Sequence, residues 1–188
     1  MNPSVSNPPP APQPPSAQTA LELDPIKLQA FQQQMKDEQN LPLGFVAGSV
    51  AAVLGTILWA IVTVITDYQI GWMAIGIGLA VGFAVRYLGK GVDRIYGFVG
   101  AGLALLSCLA GNLLTSAIVI SRQEQVSLLE VLLIFITSPG VTLDVMVAMF
   151  SPIDLFFYGL ASYEGYKFSF RQITQAEKAS LYRQRPSL

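Results

Sequence analysis

Polar stretches alternate along this chain with apolar runs long enough to cross a membrane. Leu43 to Ile65 carries no charged residue, and at 1.5 Å of rise per residue about 20 helical residues cover a hydrocarbon core of roughly 30 Å. Ile70 to Leu88 is a second such run, with Trp72 and Tyr87 near its ends as interfacial aromatics. Thr66 to Gln69 is so short a link that the two runs are predicted to form an antiparallel hairpin. Lys90, Asp93 and Arg94 then interrupt the apolar pattern, and Tyr96 to Ile120 supplies a third run with one strongly polar residue, Asn112. The predicted spans are about 43–65, 70–88 and 96–120.

The pattern is less regular afterwards. Ser127 to Phe170 is apolar but broken by Glu130, Pro139, Asp144, Pro152, Asp154 and Glu164. It predicts an amphipathic interfacial helix over about 127–137, a turn at Ser138-Pro139-Gly140, and a final helix from about Thr142 or Ser151 to Phe170. The fourth span is set at 151–170, with Pro152 starting the helix or kinking it. A competing reading is a re-entrant pair of half-helices meeting at Pro139-Gly140, which needs protein or water to cover its irregular backbone.

Two flanks complete the pattern. Residues 24–40 predict a short juxtamembrane helix, capped by Asp24 with Pro25 at its first position, and with Leu28, Phe31 and Met35 on one face. Residues 1–23 are expected to be a disordered tail, because six prolines between Pro8 and Pro15 remove backbone donors and favour extended polyproline II. Its PxxP spacings, Pro9 to Pro12 and Pro12 to Pro15, fit either a flexible spacer or a ligand for an aromatic groove. The start lacks a basic segment followed by an apolar core and is not read as a cleaved signal peptide. Residues 171–188 form a polar C-terminal tail. The expected fold is all-α: a polytopic membrane helix bundle of four transmembrane helices plus one interfacial helix.

Composition agrees. The chain is 52% hydrophobic and 12% charged, against roughly a quarter charged in soluble domains. Its net charge of -1, without a cluster of Lys and Arg, gives no reason to expect nucleic acid as a partner. Lys and Arg in the flanks set the orientation. The first link has none, the second has Lys90 and Arg94 with Arg86 just inside, and the third has Arg122; the C-terminal side has Lys167, Arg171, Lys178, Arg183 and Arg185. The positive-inside rule then predicts both termini in the cytoplasm and an even number of crossings, consistent with four.

Small residues recur at helical spacing: Gly44, Gly48 and Gly55 in the first span, Ala74, Gly78 and Gly82 in the second, Gly97 in the third. In lipid such faces let helix backbones approach, within one bundle or between copies of the chain. The polar residues at membrane depth are Asn112, Asp154 and Glu164, and polar groups there cost enough to be functional candidates. Each also has a structural reading: Asn112 as an interhelix hydrogen bond, Asp154 as a helix-start residue, and Glu164 as an i, i+3 partner of Lys167. Catalysis is not expected. The lone Cys108 has no histidine anywhere in the chain to activate it. No metal or cofactor site is expected either, and the glycines of Ile75 to Gly82 lack the strand and the Gly-Lys-Ser/Thr of a phosphate loop.

Leu43 to Asn112, with Trp59, TDYQIGWMAIGIGLAVGFAVRYLGKG from Thr66 and GNLL from Gly111, together with IDLFFYGLASYEGYKFS from Ile153, resembles an uncharacterised family of bacterial four-helix integral membrane proteins with no assigned activity. The resemblance implies a multi-pass protein of the bacterial inner membrane. Relatives look to carry varied soluble N-terminal extensions, including zinc-ribbon-like ones; this chain has a proline tail there and no Cys or His in it.

The leading functional expectation is a membrane scaffold or accessory subunit. It would assemble through its small-residue faces with copies of itself or a larger membrane protein, and offer its proline tail to a cytoplasmic partner. The alternative is a small channel or transporter subunit using Asn112, Asp154 and Glu164. A weaker alternative is a membrane-shaping protein that uses the helix over about 127–137.

Overall fold

The computed structural model describes residues 21–68 and 70–184; the proline run and its PxxP spacings lie outside the described residues. Three helices form where the long apolar runs stand: α2 (Leu41–Thr66), α3 (Trp72–Gly89) and α4 (Arg94–Gln123). All three are long and apolar enough to cross a membrane. They are preceded by α1 (Pro25–Asp37) and followed by α5 (Leu128–Thr137), α6 (Pro139–Met149), α7 (Pro152–Phe168) and α8 (Gln175–Ser180).

The boundaries have local causes. Asp24 caps α1, its carboxylate accepting the Ile26 N–H at 3.0 Å, with Pro25 at the first helical position. Asn40 caps α2 by accepting the Leu43 N–H at 2.9 Å. Both α2 and α3 end on a left-handed residue, Asp67 at φ 52° and Lys90 at φ 48°, which stops a helix and turns the chain sharply.

By internal contacts the described residues form two units, 21–31 with 173–184, and 32–172. In the first, Leu21–Leu23 (β1) pairs antiparallel with Tyr182–Gln184 (β2), Leu21 opposite Gln184 and Leu23 opposite Tyr182. The Asp24 N–H extends this pairing to the Leu181 carbonyl at 3.0 Å. Residues 21–23, expected to belong to the disordered tail, are therefore a strand, and the expected C-terminal tail contains a helix and its pairing partner. Neither partner is apolar enough to announce itself, because the stabilisation comes from a backbone ladder closed across the whole sequence.

The second unit is a helical bundle of α2, α3, α4 and α7. Contacts fix the directions. Gly44 faces Gly89 while Gly55 faces Ile77, so α2 and α3 are antiparallel; Gly48 faces Leu103 and Gly111 faces Trp59, so α2 and α4 are parallel. Gly78 faces Ala161 and Gly82 faces Gly165, so α7 runs with α3 and against α4. The seam is made of small residues. A Cβ at Gly78 would lie 2.4 Å from the Ala161 carbonyl oxygen, and one at Gly100 would lie 2.4 Å from that of Gly165. Such distances need glycine, and they bring backbones close enough for dispersion to hold helices together in lipid. Val81, Val85, Ala104 and Ala161 fill what remains and are fully buried.

At the end of this bundle where α2 begins and α7 finishes, loop segments are tied by polar contacts. The Asn40 N–H donates to Gly89 O at 2.9 Å and the Arg171 N–H to Gly91 O at 2.8 Å. The Gln39 side-chain carbonyl accepts from the Val92 and Asp93 N–H groups, while its amide donates to the Asp93 carboxylate at 3.0 Å. Arg171 donates to Glu38 at 2.7 Å.

The irregular stretch after α4 is two helices, α5 and α6, bent by 108° at Ser138. The chain bends at Ser138, within the expected turn, and Pro139 and Gly140 open α6; the expected helix over about 127–137 is α5, and a further helix, α6, stands before the final one. The Thr142 hydroxyl donates to the Phe135 carbonyl at 2.6 Å across the bend, which satisfies backbone that lipid could not. Phe150 and Ser151 then separate α6 from α7, which opens on Pro152. The final helix thus starts at the second of the two sites considered, and at 17 residues α7 is the shortest of the four bundle helices.

Gly100→Ala is expected to lower the thermal unfolding midpoint of the detergent-purified protein, at a cost of about 1–3 kcal/mol for an overpacked site. Gly102→Ala, where an added Cβ meets nothing within 4 Å, should leave the midpoint unchanged or raise it through helix propensity.

Candidate functional site

Four residues form the buried stripe of α7: Asp154, Tyr158, Ala161 and Gly165. Spaced by four, three and four, they share one helix face, small towards the tied end of the bundle and polar towards the other. The polar half meets a hydrogen-bonded relay. The Trp59 indole N–H of α2 donates to Asn112 Oδ1 of α4 at 2.9 Å, and the Asn112 amide nitrogen donates to the Tyr158 hydroxyl of α7. One asparagine therefore links three helices. A second tie joins α2 to α4 a turn or so away: the Ser107 hydroxyl donates to Ala52 O at 2.7 Å and the Thr56 hydroxyl to Ser107 O at 3.2 Å.

The relay forms the floor of a cavity of about 370 Å³ between α4, α6 and α7. Asn112, Ser116 and Tyr158 supply its polar groups; Leu109, Leu113, Leu143, Met146, Val147, Met149, Phe150 and Leu155 supply apolar walls. Few polar groups converging in a mostly apolar recess is the general form of a small-molecule or side-chain binding site. No residue of α6 is buried, so this wall is the most loosely held of the three. A neighbouring recess of about 380 Å³ lies between the ends of α2 and α4 and includes Thr63, Asp67, Thr115, Arg122 and Gln123. The buried Thr63 hydroxyl there has no hydrogen-bond partner among the described residues.

The three intramembrane polar residues expected from the sequence do not form one site. Asn112 makes the anticipated interhelix bond. Asp154, 5% exposed, takes the helix-start role, accepting the Ser151 N–H at 2.9 Å, and lies one turn before Tyr158. Glu164 is ten residues beyond Asp154, about 15 Å along the helix. The expected Glu164 to Lys167 ion pair is not among the contacts of the described residues; Lys167 Nζ instead lies 5.5 Å from the ring centres of Tyr163 and Phe168, where ring electrons replace the carboxylate as its counterpart.

All seven small residues picked out for helix packing lie within the chain's own interior. Gly44 meets Gly89, Gly48 meets Val85 and Leu103, Gly55 meets Ile77 and Ser107, and Gly78 meets Ala161. Gly82 meets Gly165 and Phe168, Gly97 meets Tyr166 and Phe170, and Ala74 is fully buried. Sequence reasoning missed Trp59, Ser116 and Tyr158 as members of the site. The available signal was small: an indole and a phenol buried in a membrane span each need a partner, and Asn112 offers both an acceptor and donors. Among the described residues no three metal-ligating side chains come together.

Replacing Asn112 with Leu is expected to cost about 1–2 kcal/mol in unfolding free energy, the scale of an interhelix hydrogen bond in a membrane protein. In a Trp72→Phe background Trp59 is the only indole, and its emission should shift on this substitution as the N–H loses its acceptor. Tyr158→Phe should weaken the fold without moving that emission as far. A comparison with protein-family models, curated proteins and solved structures gives no match for this chain.

Proposed function

We propose that this chain is a four-crossing integral membrane protein of the bacterial inner membrane, acting as a non-catalytic scaffold or accessory subunit with both ends in the cytoplasm. The observation that carries the reading is the joining of the two flanks. β1 precedes the first membrane helix and β2 follows the last, and they pair residue for residue; Glu38 and Arg171 bracket the bundle and bond at 2.7 Å. Flanks that meet must leave the membrane on one side, which requires an even number of crossings. Three helices qualify as spans outright, and α7 is the fourth crossing, seated between α3 and α4. Its 17 residues fall at the short end of the range for spanning helices. The bent α5–α6 pair then enters and leaves on the side away from the flanks.

Lys90, Arg94 and Arg171 stand at the end where the flanks meet, and by the positive-inside rule that end is cytoplasmic. A scaffold built this way offers its N- and C-terminal segments together to a cytoplasmic partner. Because the small-residue faces are occupied within the chain, contact with another copy or a larger membrane protein falls to the lipid-facing surface, where the cavity between α4, α6 and α7 is one recess. A channel through one copy is disfavoured by the sealed half of the bundle, where Val81, Val85 and Ala104 are fully buried and glycine backbones touch.

Single cysteines introduced at Glu22 and Arg183 in a Cys108→Ala background are expected to resist a membrane-impermeant thiol reagent added to intact cells, and to react in inverted vesicles. One placed at Asp67 should do the opposite. Labelling of the two flanks from opposite sides would defeat the even count. Light scattering of the gently extracted protein should give a mass above that of one chain in its micelle, from self-assembly or a co-purifying partner; a lone monomer would sink the scaffold role while leaving the topology intact.

A further inference from the structure

At the tied end of the bundle, the last turn of α3 and the segment leaving α7 enclose a recess of about 240 Å³ lined by Arg86, Tyr87, Lys90, Arg171 and Gln172. Three of these five side chains are cations. Glu38 lies 2.7 Å from the Arg171 guanidinium and 3.9 Å from Lys90 Nζ. Its carboxyl is held below the usual carboxylate value by the Gln34 side-chain amide and by Arg171. Among the described residues Glu38 is the carboxylate that ion-pairs with two of the three cations. Arg86 makes no ion pair among the described residues; its guanidinium lies 5.9 Å from the ring centre of Phe83 and 5.7 Å from that of Tyr87.

The recess also sits where a lipid headgroup would be. Tyr87 and Leu88 are exposed at the rim, continuous with the apolar outer surface of α3, so an occupant with acyl chains can lay them along the helix while its charged group enters. A soluble anion would gain only the charge. We infer that this recess binds the phosphodiester headgroup of an anionic phospholipid, with Arg86 and Lys90 as its principal contacts and Arg171 held in place by Glu38. Arg86 is the best suited, because a planar guanidinium can pair two of its N–H groups with two phosphate oxygens. Basic pockets between membrane helices on the cytoplasmic side recognise anionic headgroups by this chemistry. The inference rests on the membrane reading and on the side assigned to this end, and is independent of the scaffold role.

Native mass spectrometry of the full-length protein from neutral detergent, titrated with phosphatidylglycerol or with phosphatidylcholine of the same chains, tests it. The wild type should retain phosphatidylglycerol in clear preference to phosphatidylcholine. R86Q/K90Q should bind phosphatidylglycerol about tenfold more weakly, while R86K, which keeps the charge but loses the two-pronged pairing, should fall between the two. The lipid comparison on the wild type stands even if the double variant folds poorly. Equal retention of both lipids, or an undiminished preference in a folded R86Q/K90Q, would overturn the inference. So would displacement of phosphatidylglycerol by millimolar inorganic phosphate, since the site would then be one for soluble anions.

Discussion

The close approach of α7 to α3 and α4 is the contact on which the rest of the structure depends. α7 is short and carries Asp154, Glu164 and Lys167, so neither length nor apolarity commits it to the membrane interior. Shape does. Gly78, Gly82 and Gly100 leave a trough along α3 and α4 into which Ala161 and Gly165 fit with backbone against backbone. Without a hydrophobic drive between helices in lipid, packing of this kind is the available source of association energy. Once α7 is seated, Tyr158 reaches Asn112, Arg171 reaches Glu38 and Gly91, and the two flanks emerge together.

The bundle then divides into two halves of different character. Towards the flanks it is sealed by glycine contacts and small apolar side chains and finished by a polar clamp of loop segments. Away from them the interior holds Trp59, Asn112, Tyr158, Ser116 and Asp154, and the packing opens into the cavity walled by α6. Close packing limits motion and hydration in the first half, while the second combines polar groups, space and a loosely held helix.

Much of the architecture was legible in the sequence because it follows from length and polarity. Leu43 to Ile65 and Tyr96 to Ile120 each fall within an observed helix, Ile70 to Leu88 matches α3 except for its first two residues, and Asp24, Asp154 and Asn112 do locally what their positions suggest. The stretch from Ser127 to Phe170 was ambiguous for a physical reason. Its helices are too short or too interrupted to be set by composition, and their places come from contacts with α4 and α3 far away in the chain. The same applies to Leu21–Leu23 with Tyr182–Gln184, a ladder closed by backbone groups that every sequence possesses. The small residues were recognised, but periodicity alone does not say whether such a face meets its own chain or another. Here Gly78 finds Ala161, a residue more than eighty positions later.

Crosslinking in native membranes tests the seating of α7 most directly. Phe83 of α3 and Phe168 of α7 place their ring centres 5.1 Å apart. With Cys108 replaced by Ala, Phe83→Cys and Phe168→Cys should be joined rapidly by a short bifunctional thiol reagent, whereas Phe83→Cys with Ile153→Cys, at the far end of α7, should not. Failure of the first pair to crosslink, or equal reaction of both pairs, would contradict the four-helix bundle and the even count of crossings built on it.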